Sequence, residues 1–219
     1  MASFGFKRQE TFMQSPDFVS RLLDVIETDL VPLTRQGVSG GNKLFGAAIL
    51  RKSDLSVVIA ETNNETENPL WHGEMHALKR FYELPASERP ATKDCVFLAT
   101  HEPCSLCLSG ITWTGFDNFY YLFSYEDTRD AFAIPHDIRI LQEVYAVPDP
   151  DRAAVHPERP LYNVKNAFWQ GYGLQKLIAG FDRTSKEELT ARVDELNGVY
   201  NGLSAIYQKD KGKADIPLS

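Results

Sequence analysis

Nowhere in this 219-residue chain is there an apolar run of the length, about 20 residues, that a bilayer-spanning helix needs. The opening residues, Met1 to Arg8, also lack the apolar core of a secretory signal, so a cytoplasmic setting is expected. Cysteine is scarce: Cys95, Cys104 and Cys107 are odd in number and include one close pair, which excludes a disulfide framework. Positive charge is in deficit, with 23 Lys and Arg against 30 Asp and Glu and a formal net charge of −7. Proteins that grip tRNA or DNA need a basic footprint to neutralise phosphates. The densest basic run, Lys209, Lys211 and Lys213, is diluted by Asp210 and Asp215 and reads as a solvated terminus. Neither nucleic acid nor membrane is therefore an expected partner, and the balance favours a small, uncharged or weakly charged ligand. Internal repeats and low-complexity segments are absent as well.

What is present is ordinary globular composition, 43% hydrophobic and 24% charged, in a chain long enough for one domain with a proper core and a small extension. Three parts are expected: an arm over 1–16, a main domain over 17–160, and a C-terminal helical extension over 161–219 that packs on the core or on a partner subunit. Ser15-Pro16-Asp17 reads as an N-cap, a first-turn Pro and an early acid, and opens a helix running to about Pro32–Arg35. Leu44–Leu50 and Leu55–Glu61 read as strands joined by a polar turn. A second helix opens near Trp71-His72 and ends at Pro85, Cys95–Thr100 is a buried strand, and Asn118–Ser124 is another. Ile138–Val147 reads as a strand or a helix-to-strand passage, and Asp127, Arg129 and Asp130 as a solvated turn. Past a loop punctuated by Pro148, Pro150, Pro157 and Pro160, two helices are expected. The first carries Val164, Phe168, Trp169 and Leu174; the second is capped by Ser185 with Glu188. Alternating strands and helices make this an α/β chain.

The chemistry concentrates in His72-Gly73-Glu74 and, about thirty residues on, Pro103-Cys104-Ser105-Leu106-Cys107. One imidazole and two thiols supply three zinc ligands, whereas a structural site closes all four positions with protein. The fourth position stays open to water, and Glu74 is left free for proton transfer. These residues resemble the cytidine/deoxycytidylate deaminase superfamily, in particular its free-base and tRNA adenosine deaminase branch. Gly40-Gly41-Asn42-Lys43-Leu44-Phe45-Gly46-Ala47-Ala48-Ile49, Thr100-His101-Glu102-Pro103 and Ser109-Gly110-Ile111-Thr112-Trp113-Thr114-Gly115-Phe116 are similar to further stretches of that family. The likeness covers roughly residues 17–146.

That resemblance implies a three-layer α/β/α fold around a mixed, mostly five-stranded sheet. It implies a zinc ion on His72, Cys104 and Cys107, with Glu74 as proton shuttle and the Glu102 carbonyl receiving the departing amine. Asn63 falls where the family hydrogen-bonds the base, although as a turn cap it would look the same, and Asn64 is an adjacent candidate. Phe45, Trp71, His101 and Trp113 are candidate pocket walls, though Phe45 and Trp113 taken singly suit a core equally well. His76 could close a His₂Cys₂ structural site, a position that in the family belongs to the core. Leu44 in place of Pro, Gly73 in place of the commoner Ala, a bulky Trp71 and a shortened Asn63–His72 segment are departures that leave the substrate open. The leading expectation is hydrolytic deamination of a free nucleobase or similar aminated heterocycle, cytosine- or guanine-like, by a homodimer. A tRNA adenosine deaminase and a catalytically silent zinc-stabilised scaffold are the alternatives.

Overall fold

Strand residues of alternating parity divide the core into two. In β1 (Gly46–Arg51) Ala48 and Leu50 face one side of the sheet while Ala47 and Ile49 face the other. In β3 (Cys95–His101) Val96 and Leu98 oppose Cys95, Phe97 and Ala99 in the same way. This is the two-residue period of a pleated strand buried on both faces. The computed structural model describes residues 12–145, 162–211 and 216. Its five strands, with β2 (Val57–Thr62), β4 (Asn118–Phe123) and β5 (Gln170–Gly173), form one sheet in the order β2-β1-β3-β4-β5. β1 is antiparallel to β2 and β3, while β3, β4 and β5 run parallel. The sheet is mixed, as expected.

Helices cover both faces, giving the expected α/β/α sandwich. On one side lie α1 (Pro16–Val25), α2 (Val31–Ser39), α7 (Leu174–Ala179) and α8 (Arg183–Asp210). On the other lie α3 (Gly73–Glu83) and α4 (Ser105–Trp113). Two further helices, α5 (Tyr125–Asp130) and α6 (His136–Tyr145), carry a small cluster of Tyr125, Ile138 and Leu141.

The first helix opens as its sequence predicts, with the Ser15 hydroxyl accepting from Phe18 N–H. The helical stretch runs to Ser39, a little past the expected end at about Pro32–Arg35. A π-helical turn (Ile26–Leu30) joins α1 to α2, and Pro32 falls in the first turn after it, where its missing N–H removes no ladder bond. Asp127, Arg129 and Asp130 are helical, not a turn, because Ser124 and Asp127 form a reciprocal capping box. Ile138–Val147 is a helix as far as the described residues extend.

The C-terminal segment departs most from expectation. Where a helix through Val164 to Leu174 is predicted, the chain instead adds β5 to the parallel edge of the sheet. Gly171 lies over Phe119, and Tyr172 stacks on Tyr120 with ring centroids 4.9 Å apart. Glycines at alternate positions weaken a helix and here admit the aromatic rings of the neighbouring strand. The last helix starts earlier than predicted: Asp182 accepts from Thr184 N–H and Ser185 N–H, so Ser185 is inside the helix. Leu189, Val193, Leu196, Tyr200, Leu203 and Tyr207 form its buried stripe, and Arg192 pairs with Asp24 and Glu27 of the first helical stretch at 2.7 and 2.8 Å. The arm over 1–11, the loop prolines and the Lys213 region lie outside the described residues.

A side chain on Gly171 would bring Cβ to 2.5 Å from the Phe119 ring. Gly171→Ala is expected to lose about 1–3 kcal/mol, the usual range for overpacking. A thermal melt of the variant checks this, at about 2–4 °C per kcal/mol for a chain of this size.

Candidate metal centre

His72 and Cys104 are each the N-cap residue of a helix, with extended ψ angles of 158° and 173°. Cys107 follows in the first turn of α4. The strand β3 ends at His101 and delivers the Glu102-Pro103 segment between the sheet and that turn. The His72 Nδ1 atom lies 3.4 Å from Cys104 Sγ and 3.8 Å from Cys107 Sγ, and the two sulfurs are 3.5 Å apart. A tetrahedral zinc with usual bond lengths demands edges of about 3.6 Å from nitrogen to sulfur and about 3.8 Å between sulfurs. The three donors thus fit a zinc ion, and they are the group among the described residues that meets metal-ligand spacing. Cys95 is a buried strand residue on the Phe97 side of the sheet, as expected.

Glu74 stands beside this group without completing it. Its carboxyl is buried at 4% exposure, and Oε2 accepts from the Cys107 thiol at 3.3 Å. Burial, and then the negative charge of Cys104, push its pKa up to about 7, a value suited to carrying a proton near neutrality. The three donors carry charge unequally. Cys104 falls well below the usual thiol range because Cys107 donates to it and His72 lies beside it. Cys107 is raised, first by burial and then by its hydrogen bond to Cys104. Burial works against the His72 imidazolium, but the Cys104 contact and the charges of Cys104, Glu74 and Glu65 outweigh it and lift the group to about 9. A helix N-terminus favours the same thiolate.

The candidate substrate contacts fare unequally. Asn63 is 1% exposed: its Oδ1 accepts from Gly73 N–H at 2.6 Å and its Nδ2 donates to Glu65 at 2.9 Å. It caps α3 from outside that helix. Asn64 closes its own turn by bonding Glu67 and the Trp71 carbonyl. Phe45 packs in the core with its ring centroid 4.6 Å from that of His101. Trp71 is half-buried with the Lys79 ammonium 5.9 Å from its ring centre. Trp113 is 90% exposed at the end of α4, so among the described residues it is not packed as an enclosed pocket wall. The helix turns its apolar face elsewhere, through Cys107, Leu108 and Ile111. His76 does not close the site. Because His72 is the extended cap, the two histidines do not share a helical face, and His76 Nδ1 pairs with the Thr62 carbonyl at 2.9 Å. His101 is fully buried and neutral, its pKa pushed down to about 3 by burial alone.

Several contacts around the centre carried no signal in the sequence. Glu102 is held by its side chain, Oε1 accepting from the Tyr162 hydroxyl at 2.5 Å and Oε2 from Tyr125 N–H at 3.1 Å. The Tyr125 hydroxyl donates to the Pro103 carbonyl, so two tyrosines fasten the segment that presents Cys104. Asp137 of α6 is 8% exposed, and burial followed by the Cys104 charge raises it to about 8. Glu65 is 3% exposed, with Oε1 3.9 Å from His72 Nε2 and 2.8 Å from Lys43 Nζ. Glu65 and Asp137, on a loop and a helix, belong to no motif; only their burial distinguishes them.

Residues 29–123 match the family model for the cytidine and deoxycytidylate deaminase zinc-binding region. The match covers less than half of the chain, and what it establishes is a likeness to that zinc-binding region. A curated relative, guanine deaminase from Bacillus subtilis, is 28% identical over 104 residues, which is 46% of this chain and 64% of the relative's length. A solved structure of guanine deaminase from Bacillus subtilis is 24% identical, covers 66% of this chain and 86% of its own, and superposes with a TM-score of 0.44. Guanine deaminase from Nitrosomonas europaea is 17% identical over 77% of this chain and 81% of its own, with a TM-score of 0.42.

At Gly73 a Cβ atom would lie 2.8 Å from the Phe45 carbonyl oxygen and 2.9 Å from Gly46 Cα, both backbone atoms that cannot swing aside. Gly73→Ala is therefore expected to cost about 1–3 kcal/mol and to separate α3 from the start of β1. Denaturant unfolding read together with bound zinc tests this, and wild-type stability would contradict the packing.

Proposed function

We propose that the protein is a zinc-dependent aminohydrolase, replacing an exocyclic amino group on a free nucleobase or similar aminated heterocycle by oxygen and releasing ammonia. The observation that carries this reading is the convergence of His72 Nδ1 and the two sulfurs with a buried carboxyl, Glu74, that is not one of the three. A scaffold zinc has no use for that carboxyl. Guanine deaminase relatives support a small base as substrate, and the net charge of −7 opposes a nucleic acid.

When bound, zinc supplies the Lewis acidity that brings the pKa of a water molecule down towards neutrality. His72, Cys104 and Cys107 hold it and leave one side free. Glu74 would take a proton from the attacking water at a carboxylate oxygen. It would then pass that proton to the ring nitrogen next to the aminated carbon as the water oxygen bonds to that carbon, and carry the remaining hydroxyl proton to the amino group, so that the carbon–nitrogen bond breaks and ammonia leaves. The Cys104 N–H stabilises the oxygen that becomes negative, and the Glu102 carbonyl accepts from the departing amine. Asn63 orders α3 and, by its remaining amide hydrogen, contacts the base. The buried Asp137 is the further acid within electrostatic reach of Cys104, His72 and Glu74.

On this reading residues 17–160 hold the chemistry, the extension over 161–219 supports it, and the protein works in the cytoplasm as a homodimer. Exposed aromatic side chains at Trp113 and Phe168, 90% and 68% exposed, suit a subunit contact. Light scattering at micromolar concentration should give twice the chain mass, and a monomer would remove the dimer from the proposal.

The Glu74→Gln variant should retain zinc and lose about 10²–10⁴-fold in turnover, the share that positioned acid–base groups contribute. Retained activity would show that another group moves the proton. Cys104→Ala should lose zinc and activity together. The substrate is identified by incubating the zinc-loaded protein with cytosine, guanine, adenine, their nucleosides and related aminoheterocycles and measuring ammonia; no release from any of them would defeat the enzymatic reading.

A further inference from the structure

The segment between β2 and α3 carries a buried polar chain that ends on His72. Lys43 and Glu65 are 6% and 3% exposed, and their side chains meet at 2.8 Å. The same carboxylate accepts from Lys43 N–H at 3.2 Å and from Asn63 Nδ2 at 2.9 Å. Asn63 Oδ1 then accepts from the Gly73 N–H, the peptide that immediately follows His72. On the other side, Glu65 Oε1 lies 3.9 Å from His72 Nε2, within ion-pair range, while Nδ1 of that ring faces the sulfurs. One carboxylate therefore reaches His72 twice, through its ring and through its backbone.

We propose that Lys43 and Glu65 form a positioning pair for the metal ligand His72, fixing the ring so that Nδ1 points at the metal. The inference rests on His72 being a ligand, as the proposed function requires. Desolvating an ammonium and a carboxylate costs several kcal/mol per ion, and an apolar pair of similar volume is often as stable or more so. Stability alone therefore does not account for this ion pair at the base of a loop. At 3.9 Å the carboxylate is beyond direct hydrogen-bond length but stands on the Nε2 side of the ring, the side from which an outer-shell carboxylate orients a ligating imidazole and raises its basicity. Lys43 keeps that carboxylate in place and balances its charge beside the thiolates. Its place in the chain, directly before Leu44-Phe45, joins the start of β1 to the metal loop.

The test uses the full chain and zinc itself, with affinity read by competition against a chromophoric chelator. The double variant Lys43→Met with Glu65→Gln removes both charges while leaving an amide able to bond Asn63. Its zinc dissociation constant should rise about 10–100-fold, while the metal-free protein melts near the wild-type temperature. A control, Glu67→Ala, breaks the exposed Asn64–Glu67 bond of the same loop and should leave zinc affinity within about twofold of wild type. In cobalt-loaded protein the double variant should also shift the visible ligand-field bands, which report coordination geometry directly. Should the double variant not fold, Glu65→Asp, which keeps the charge but draws it back by one methylene, is read for the same loss. Wild-type zinc affinity in the double variant, or an equal loss in Glu67→Ala, would overturn the inference. Absence of zinc binding by the wild-type chain would instead overturn the proposed function.

Discussion

His72 and Cys104 are caps of two different helices, and the site exists because those helix ends are held against each other and against the start of β1. The contact is possible where side chains are missing. Gly73 sits on the Phe45–Gly46 backbone, and at Gly110 of α4 a Cβ would come within 2.7 Å of Met75 Sδ on α3. Extended caps also turn His72 away from the face that carries His76, so one helix presents a ligand at its tip while the next histidine serves the sheet edge. Helix ends supply partial positive charge where thiolates must sit, and α3 and α4 contribute this from neighbouring directions.

Around that junction the protein buries an unusual amount of acid. Glu65, Glu74, Glu102 and Asp137 are all under 9% exposed, and each is handled differently. Glu65 is neutralised by Lys43 and bonded by Asn63. Glu102 is bonded by Tyr162 and Tyr125 N–H. Glu74 and Asp137 face the sulfur centre with raised pKa values of about 7 and about 8, burial being the leading cause in both. Buried carboxyls without a cation tend to keep their protons. Glu65 and Glu102 are thus each fixed by several hydrogen bonds, whereas the Glu74 carboxyl accepts from the Cys107 thiol beside the three donors.

The zinc ligands were legible in the sequence because their chemistry is written into residue type and spacing. Cys104 and Cys107 three residues apart on an opening helical turn can share one ion, and His72 adds a third donor with the carboxyl of Glu74 two residues on. Strand limits and the first helix start were legible for similar local reasons: Ser15 and Pro16 are adjacent, and the strands β1 and β3 are continuous apolar runs. The exposure of Trp113 was not legible, since periodicity cannot tell which end of a helix protrudes beyond the sheet. β5 failed because the sequence Gln170-Gly171-Tyr172-Gly173 has little strand propensity of its own; the edge of β4 and the ring of Tyr120 select its conformation. Ser185 and Asp182 both suit an N-cap, and the choice between them depends on where the preceding helix ends.

By itself, then, the order of residues determined an α/β chain with a His-Cys-Cys donor set and a free carboxyl, because each of those features depends on neighbours a few positions away. Tertiary structure decided which acids are buried, that Lys43 meets Glu65 and both approach His72, and that a C-terminal strand completes the sheet. Those contacts join residues that are distant in sequence, and their energies come from desolvation and packing, which exist only once the chain has closed on itself.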